Sequence, residues 1–586
     1  MTFNELASQR LEEIARMLDL LGEDTFKVNA HARAARAIAD HAADLKGAGD
    51  DPSVLEGIEG VGAKTAAKIA ELARTGTIKE HADLAARVPA GLFDVLRVPG
   101  LGPKTVRAMW QTLGVTGLDD LQRTIDDDSI LSLPRMGAKT VENIKAGIAT
   151  VRSGAGRVNI GVATPIAEAL VARISGVPGV ERAAFAGSLR RGRETVGDID
   201  ILGVAEGPTA EAAREAFCTT PGVKRVLARG ESRCSVELEA GSSIVQADLK
   251  LVPARSWGAA LMYFTGSKEF NVRVRERALK RGVTLNEYGL FPLDNDPTPH
   301  HQRPGGLETA VAGDTEASIF KALELPELAP ELRESAADFD HAPPELVTLQ
   351  DIRAELHAHT TASDGVMSIV QLATLAKSKG FHTVAVTDHS KSSALAGGLS
   401  PERLREHIRN VRSAGNEIDG IRILAGSEVD ILADGRLDYD DDLLAELDVV
   451  VASPHAALTQ DPAKATARLL AAVTHPLVHI LGHPTGRLIG HRAGLEPNMD
   501  EIAAAAAEHQ TALEINANWL RLDLRDTHVR LALSKGALIA INCDTHHPKD
   551  AENLRYGVAT SRRGGLSKER CVNAWTRERL GEWLKR

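Results

Sequence analysis

The chain has 586 residues, 43% hydrophobic and 25% charged, enough apolar material for several packed cores and too much for a disordered protein. No apolar run approaches the roughly 18 residues that cross a bilayer, MTFNELASQRLEEIARM lacks the apolar centre of a secretion signal, and the cysteines (Cys218, Cys234, Cys543, Cys571) form no CxxC pair, so a cytoplasmic protein without a disulfide framework or thiolate zinc site is expected. A net charge of −11 argues, as a sum, against a nucleic-acid partner, but where the charge sits matters more than the total.

In chain order, residues 1–150 read as short helices. Apolar positions recur at i, i+3 and i+4 in LEEIARMLDLL and AARAIADHAADL, and glycines punctuate the breaks. Within this region IEGVGAKTAAKI (58–69) and VPGLGPKTVRAM (98–109) share one pattern: a hydrophobe, Gly-x-Gly (Gly60 and Gly62; Gly100 and Gly102), then Lys-Thr (Lys64; Lys104) opening an amphipathic helix. A third copy, LPRMGAKTVENI (133–144), has Arg135 at its first glycine position. Each reads as a turn that exposes backbone N–H groups beside a helix N-terminus, a sequence-independent phosphate cradle that needs few formal charges; a purely structural helix turn is the alternative.

From about 160 to 255 the pattern becomes mixed α/β: a helix over PIAEALVARI, then strand-like AAFAGSL, DIDILGV and SIVQADLKLV. Asp198 and Asp200 alternate on one strand and so face one side, and Asp248 lies in a second strand-like run that could pair alongside. Three carboxylates on one sheet face repel one another unless cations lie between them, which suits a two-Mg²⁺ phosphoryl-transfer site. Just upstream, Gly187-Ser188 lets backbone approach closely, and Arg190, Arg191 and Arg193 offer forked donors to phosphate. A solvated DxD turn is the bland alternative for Asp198 and Asp200.

A helical stretch near 256–282 precedes NEYGLF, and the acidic, proline-bearing segment at about 324–349 is the best linker candidate. Beyond it, short apolar strands alternate with helices, the signature of a parallel β/α domain. Histidine is lopsided too: five of the twenty precede residue 330 and fifteen follow it. Polar clusters sit where the strands stop: His357 and His359; Asp364; Asp388 and His389; Glu428; His455; His483; Asp544 and His546. In a parallel barrel such strand ends converge on one face. Imidazole with carboxylate suits zinc, manganese or iron, and about nine ligands exceed the need of one ion, so a two- or three-metal hydrolytic site is expected.

The motifs HAHTTASDG (357–365), TDHS (387–390), SEVD (427–430), SPH (453–455), GHP (482–484) and DTH (544–546) resemble the PHP (polymerase and histidinol phosphatase) domain. The resemblance implies a metal site for up to three Zn²⁺ or Mn²⁺ ions held by His357, His359, Asp364, His389, Glu428, His455, His483, Asp544 and His546, with Glu428 bridging. GS with a nearby DxD, YFTGSKEFNVRVRERALKRG (263–282) and LNEYGL (285–290) resemble the palm and thumb of family X DNA polymerases. That resemblance implies Mg²⁺ or Mn²⁺ on the catalytic carboxylates Asp198, Asp200 and Asp248, with Asp248 accepting the primer 3′-hydroxyl proton. It further implies that Gly187, Ser188, Arg191 and Gly197 contact the incoming triphosphate. Tyr263, Phe264 and Gly266 would lie against the sugar, Asn271 at the base edge, and Arg275 and Glu287 would act on template and closure. Two departures are Lys268, where acidic residues are common, and Lys250, which keeps a cation without the guanidinium fork.

The glycine-turn modules resemble helix-hairpin-helix DNA-binding motifs. In family X the first belongs to a domain that binds a gap's 5′-phosphate; Lys27, His31 and Lys64 match phosphate-binding positions, and Lys68 matches a Schiff-base lyase lysine, a DNA-phosphate lysine being the alternative reading. The expected architecture is multidomain: an all-α helix-hairpin-helix region (1–85 lyase-like, 86–150 fingers), an α+β nucleotidyltransferase palm (151–255), a thumb (256–325), a linker (326–349) and a β/α PHP barrel resembling a distorted TIM barrel (350–586). The implied function is gap-filling DNA synthesis in base excision repair on gapped or primed duplex DNA with dNTPs. The resemblance also implies a 3′-to-5′ exonuclease in the PHP domain, with nicking at abasic sites and 3′-phosphate removal as further activities there, and a monomer is the default. The alternative is a DNA-end-binding repair protein whose PHP domain is a structural metal module.

Overall fold

A computed structural model describes residues 3–585 except 40, 42–44, 51, 59, 99, 135, 153–156, 232, 242, 295, 297, 335 and 336, so Arg135 of the third glycine-turn copy lies outside the described residues. The chain forms two compact units. The first comprises Met1–Val158, Val162–Leu189 and Thr195–Leu323; the second comprises Asn159–Gly161, Arg190–Glu194 and Glu324–Arg586.

The first unit begins with helices Phe3–Leu21, Thr25–Ala39, Ala63–Thr75 and Lys79–Ala85. The i, i+3, i+4 pattern places Leu11, Ile14 and Leu18 on one stripe, which joins Ile38 and Ile69 in a shared apolar core. The glycine turns repeat one geometry. Gly60 and Gly100 have φ of +93° and +85°, a region open to glycine at no steric cost. The Gly62 carbonyl accepts from Thr65 N (2.8 Å) and Ala66 N (2.9 Å), and the Gly102 carbonyl accepts from Thr105 N (2.9 Å) and Val106 N (3.0 Å). Gly137 in the third copy accepts equivalently from Thr140 N and Val141 N, so that helix start survives the exchange of its first glycine.

The same unit contains a five-stranded sheet of β1 (Arg182–Phe185), β2 (Asp198–Val204), β3 (Val223–Arg229), β4 (Cys234–Ala240) and β5 (Ser243–Val252), in the order β1-β2-β5-β4-β3. Strand β2 runs parallel to β5 in a register that sets Asp200 opposite Asp248. Two local expectations need correcting. The strand over AAFAGSL stops at Phe185 and Gly187–Arg190 forms a helical turn, because Gly187 adopts φ +64°. Strands β3 and β4 were not anticipated: β3 alternates half-buried and exposed residues over VKRVLAR, so charges mask its period. Helices Trp257–Thr265 and Lys268–Lys280 and the hairpin Val283–Asn286 with Gly289–Pro292 complete the unit.

The second unit is a seven-stranded all-parallel sheet: β6 (Ala354–Glu355), β7 (Thr383–Val386), β8 (Arg422–Asp430), β9 (Val449–Ser453), β10 (Ile480–Leu481), β11 (Ala512–Asn516) and β12 (Leu538–Asn542), paired in chain order. A parallel bridge between Ala358 and Thr545 joins its first and last members, so the sheet curls into a nearly closed barrel. Strands β7, β9 and β11 are buried at every position, as expected where interleaved helices such as Ile369–Ser378 and Pro462–Val473 cover the outer face. Before β6, the acidic stretch carries a 3₁₀ turn at Pro330–Leu332 and buries Arg333 and Glu334. Glu334 accepts from Arg563 Nη1 (2.9 Å) and Arg191 Nε (3.1 Å), and Arg563 also pairs with Asp526 (2.7 Å).

Candidate active sites

In the first unit, the register of β2 and β5 brings Asp198, Asp200 and Asp248 together, with one carboxylate oxygen of each within 4.8 Å of the others. Burial and the neighbouring Asp248 push the Asp198 carboxyl group above its usual range, partly offset by Arg157 and Arg233. That is the electrostatic signature of a site short of positive charge. Gly187 borders it: a Cβ there would collide with the Asp200 carboxylate, so only glycine lets the Gly187-Ser188 turn approach the acids this closely. A residue the motif reading missed also reaches in. Arg233, just before β4, donates from Nε to Asp248 Oδ1 (3.2 Å) and from Nη2 to Oδ2, and the Gln246 amide donates to both oxygens at 3.2 Å. Arg233 lies fifteen residues from Asp248, and only the β4–β5 pairing makes them neighbours.

Tyr263, Asn271 and Arg275 line one shallow pocket with Ala259, Met262 and Leu285. Asn271 Nδ2 donates to the Tyr263 carbonyl at 2.7 Å, Tyr263 meets Phe264 edge-on at 5.2 Å between centroids, and the Lys250 ammonium lies 5.5 Å from the Phe264 ring. Gly266 ends the Trp257–Thr265 helix with φ +70°. Gly197 immediately precedes β2. Arg191 belongs to the second unit, where its guanidinium is held by Glu334.

Among the helices, Lys68 donates to His31 Nε2 (2.6 Å) and pairs with Glu80, while His31 Nδ1 donates to the Lys27 carbonyl (2.8 Å). His31 is thus fixed as the tautomer whose Nε2 accepts. Lys27 pairs with Glu23 at 3.2 Å, and Lys64 and Lys104 lie in the first turns of their helices.

In the second unit the strand ends converge. His359, Asp364, His389 and His546 form one group, His357, His359, Glu428 and Asp544 a second, and His389, Glu428 and His455 a third, each with ligand atoms within 4.8 Å of one another. His483 stands outside these groups but meets the shared carboxylate, its Nε2 2.8 Å from Glu428 Oε1. Glu428 therefore faces five histidines: 357, 359, 389, 455 and 483. Burial alone would raise its pKa, yet His455, His357 and His389 hold it well below the carboxylate norm. Reciprocally, burial works to lower the His389 and His455 pKa values, but Glu428 and their other carboxylate neighbours carry them up to about 10 and about 9. The cluster demands positive charge.

Its fit to metal ions shows in buried atoms without a hydrogen-bond partner among the described residues: His357 Nε2, both ring nitrogens of His359, His389 Nδ1, Glu428 Oε2 and Asp544 Oδ1. Such orphans are costly in a folded protein unless a ligand satisfies them. Asp544 and His483 also hold φ of +52° and +21°, uncommon for residues bearing a Cβ and typical of places where function fixes the backbone. Behind the ligands stands a layer of which the sequence reading had picked out only Asp388, among the polar strand-end clusters. Glu514 on β11 accepts from His357 Nδ1 (2.8 Å), the His483 backbone N–H (2.7 Å) and Asn542 Nδ2 (2.9 Å). Asp388 accepts from Thr360 and from His407 Nε2 (2.8 Å), and Asp430 accepts from His455 Nδ1. Such partners fix tautomer and ring orientation. An acidic residue inside an otherwise apolar, fully buried strand, as in ALEIN, was the available signal for Glu514.

Comparison with known proteins agrees with this geometry. Family models match in four places: a helix-hairpin-helix domain over residues 2–78, a SAM-like helix-hairpin-helix tandem over 93–150, a DNA polymerase beta thumb over 260–334 and a PHP domain over 355–518. The chain is 35% identical over 580 residues to the DNA polymerase/3′-5′ exonuclease PolX of Bacillus subtilis (strain 168), covering 98% of both chains. This chain belongs to the bacterial family X DNA polymerases that carry a PHP domain. It is also 26% identical over 360 residues to DNA polymerase lambda of Rattus norvegicus, covering 57% of this chain and 56% of that one. Over 210 residues it is 31% identical to a protein of Shewanella sp. (strain MR-4) named "Probable phosphatase", covering 33% of this chain and 75% of that one. No helix among the described residues is long and apolar enough to cross a membrane.

Proposed function

We propose that the chain is a DNA-directed DNA polymerase that fills short gaps during base excision repair and trims 3′ ends through its PHP domain. The observation that carries this reading is the parallel register of β2 and β5, which gathers Asp198, Asp200 and Asp248 beside the Gly187-Ser188 turn. Divalent cations on these acids, Mg²⁺ or Mn²⁺, supply charge neutralisation for an in-line attack on a nucleoside triphosphate. The chain's own residues then position the reactants. Asp248 accepts the proton of the primer 3′-hydroxyl, and Gly187, Ser188 and Gly197 receive the triphosphate. Tyr263, Phe264 and Gly266 flank the sugar, and Asn271 and Arg275 meet base and template. Before Asp248 can take that proton, the donors of Arg233 and Gln246 must leave room on its oxygens, since a carboxylate engaged at both oxygens has less capacity to accept.

In the barrel, the nine histidine and carboxylate ligands would hold up to three Zn²⁺ or Mn²⁺ ions, which generate a nucleophile near neutral pH and polarise a phosphodiester. The likeness of this segment to a named phosphatase supports removal of a 3′-phosphate as well, and nicking at abasic sites is the further activity in keeping with repair. The glycine turns at Gly60, Gly62, Gly100 and Gly102, with Lys27, Lys64 and Lys104, hold duplex phosphates on either side of the gap, and Lys68 acts as a lyase nucleophile in the 1–85 region. The chain works as a cytoplasmic monomer on gapped DNA with dNTPs. Extension and degradation of a labelled primer on one-nucleotide-gapped DNA, with and without dNTP and across Mg²⁺ and Mn²⁺, tests the whole reading; absence of both products under all these conditions would refute it.

A further inference from the structure

The environment of Lys68 contains more than a lysine nucleophile needs in order to bind phosphate. Its ammonium group is shared between His31 Nε2, at 2.6 Å, and the carboxylate of Glu80, whose Oε2 is also 3.9 Å from His31 Nε2. The three side chains form a triangle, and they differ in access to solvent: 8% for His31, 19% for Lys68 and 38% for Glu80. His31 closes the inner side. Its Nδ1–H is committed to the Lys27 carbonyl, so its Nε2 lone pair can only accept. Burial lowers the His31 pKa, opposed by the Lys27 carbonyl, with smaller contributions from the Lys68 charge downward and Glu80 upward, which favours the neutral ring whose Nε2 accepts from the ammonium. Glu80 lies on the open side, where a substrate can approach. A DNA-phosphate site gains nothing from an acid in that place, since the carboxylate would repel the ligand.

We infer that Glu80 is the base of a β-elimination step at Lys68, removing a proton from the sugar carbon next to the one that Lys68 holds. The inference rests on the lyase reading of Lys68 given above and adds the residue that completes the reaction. Lys68, having given a proton to solvent, attacks C1′ of the ring-opened sugar at an incised abasic site; the carbinolamine hydroxyl regains that proton and leaves as water, and an iminium forms. The iminium acidifies the C2′ proton, which lies one bond beyond the new C–N linkage and so falls beside the group already touching Nζ. Glu80 takes that proton, its electron pair forms the C2′–C3′ double bond, and the C3′–O bond breaks with its electrons going to the 5′-phosphate of the downstream strand. Water then hydrolyses the unsaturated iminium and frees Lys68. No oxidant, metal or further reactant enters.

Glu80 is set at the start of helix Lys79–Ala85, two residues after the buried Ile78. Its neighbour His81 is tied to Glu13 at 2.6 Å, and the Lys79 backbone N–H donates to Glu71 Oε1 at 3.1 Å. The helix start is thus anchored on both sides of Glu80 independently of Lys68, which holds the carboxylate at a fixed distance from the nucleophile.

The test separates imine formation from elimination in the full-length protein. A labelled duplex with an abasic site nicked on its 5′ side is mixed with excess protein. One portion is reduced with borohydride to count covalent adduct, and another is followed for release of the 5′-phosphorylated downstream strand. Wild type should give both. Glu80→Gln should leave the trapped adduct near wild-type yield while slowing release by about a hundred-fold, with Glu80→Asp recovering part of the rate; circular dichroism of each variant guards against misfolding. Equal loss of adduct and release in Glu80→Gln would make Glu80 a group that merely orients Lys68, and an unchanged release rate would remove it from the reaction; either overturns the inference. If wild type gives no adduct, or Lys68→Ala gives as much, the lyase reading fails and the inference falls with it.

Discussion

The two metal-seeking centres of this chain solve one electrostatic problem in opposite ways. The β2/β5 site offers three carboxylates, one of them on an exposed residue, with no histidine among the grouped ligands. The barrel site offers nine ligands, most of them buried, backed by a further set of acids that hold the imidazoles in place. A sparse acidic site suits a cation that arrives with its substrate's phosphates and keeps part of its hydration, whereas a dense imidazole-carboxylate cage suits resident ions.

The sharpest way to break this comparison is to disable each centre alone. Asp198→Ala or Asp200→Ala should cut primer extension by about a hundred- to a thousand-fold and spare 3′-end degradation, and His357→Ala or Asp544→Ala should do the reverse. Loss of both activities from either class, in protein that remains folded, would contradict two independent sites. Removal of metal should show the same contrast: after gel filtration without added metal, elemental analysis should find ions retained by wild type and lost by His357→Ala, with no change in Asp198→Ala.

Next in size is the buried ion cluster of the second unit. Glu334→Ala would strand part of the charge of Arg563 and destabilise the fold by on the order of 3 kcal/mol, read from urea denaturation. This carboxyl group works against its own burial, and Arg563, Arg193 and Arg191 pull it from the usual 4.5 down to about 2. A depressed pKa means stability present at neutral pH and lost as pH falls from 4.5 toward about 2, so the stability advantage of wild type over Glu334→Gln should shrink across that range. A smaller effect is expected behind the barrel ligands. Glu514→Gln should weaken metal retention by about 10- to 100-fold, measured by chelator competition. Smallest is Arg233→Ala: with half of its side chain exposed, its pairing with Asp248 contributes at most about 1 kcal/mol. Primer extension in that variant should shift only a few-fold in the Mg²⁺ concentration it requires.

How much of this was legible in the sequence follows from the range of each signal. The nine barrel residues stand within short motifs at strand ends, and a parallel barrel turns such spacing into convergence, so their meeting at one face could be read without coordinates. Asp198 and Asp200 were equally local. Glu514, Arg233 and Glu80 were not, because each owes its place to a tertiary pairing: β11 beside β12, β4 beside β5, and the start of helix Lys79–Ala85 packed near helices Thr25–Ala39 and Ala63–Thr75. The acidic stretch before the barrel looked solvated by composition, and nothing local marks Glu334 as the residue that three arginines surround. Strand β3 was hidden by charges on its open face.

The bridge between Ala358 and Thr545 gives the barrel centre a history as well as a geometry. Its two sides carry His357 and His359 from the beginning of the fold and Asp544 and His546 from near its end, so a ribosome must deliver almost the whole unit before the cage can exist. On the function proposed above, metal capture would therefore be a late event in the life of each molecule, and an ion seated there would tie together the ends of the sheet as a clasp does. Amide exchange at Thr545 and His359, the two residues joined by that seam, would then report whether a given molecule has been armed.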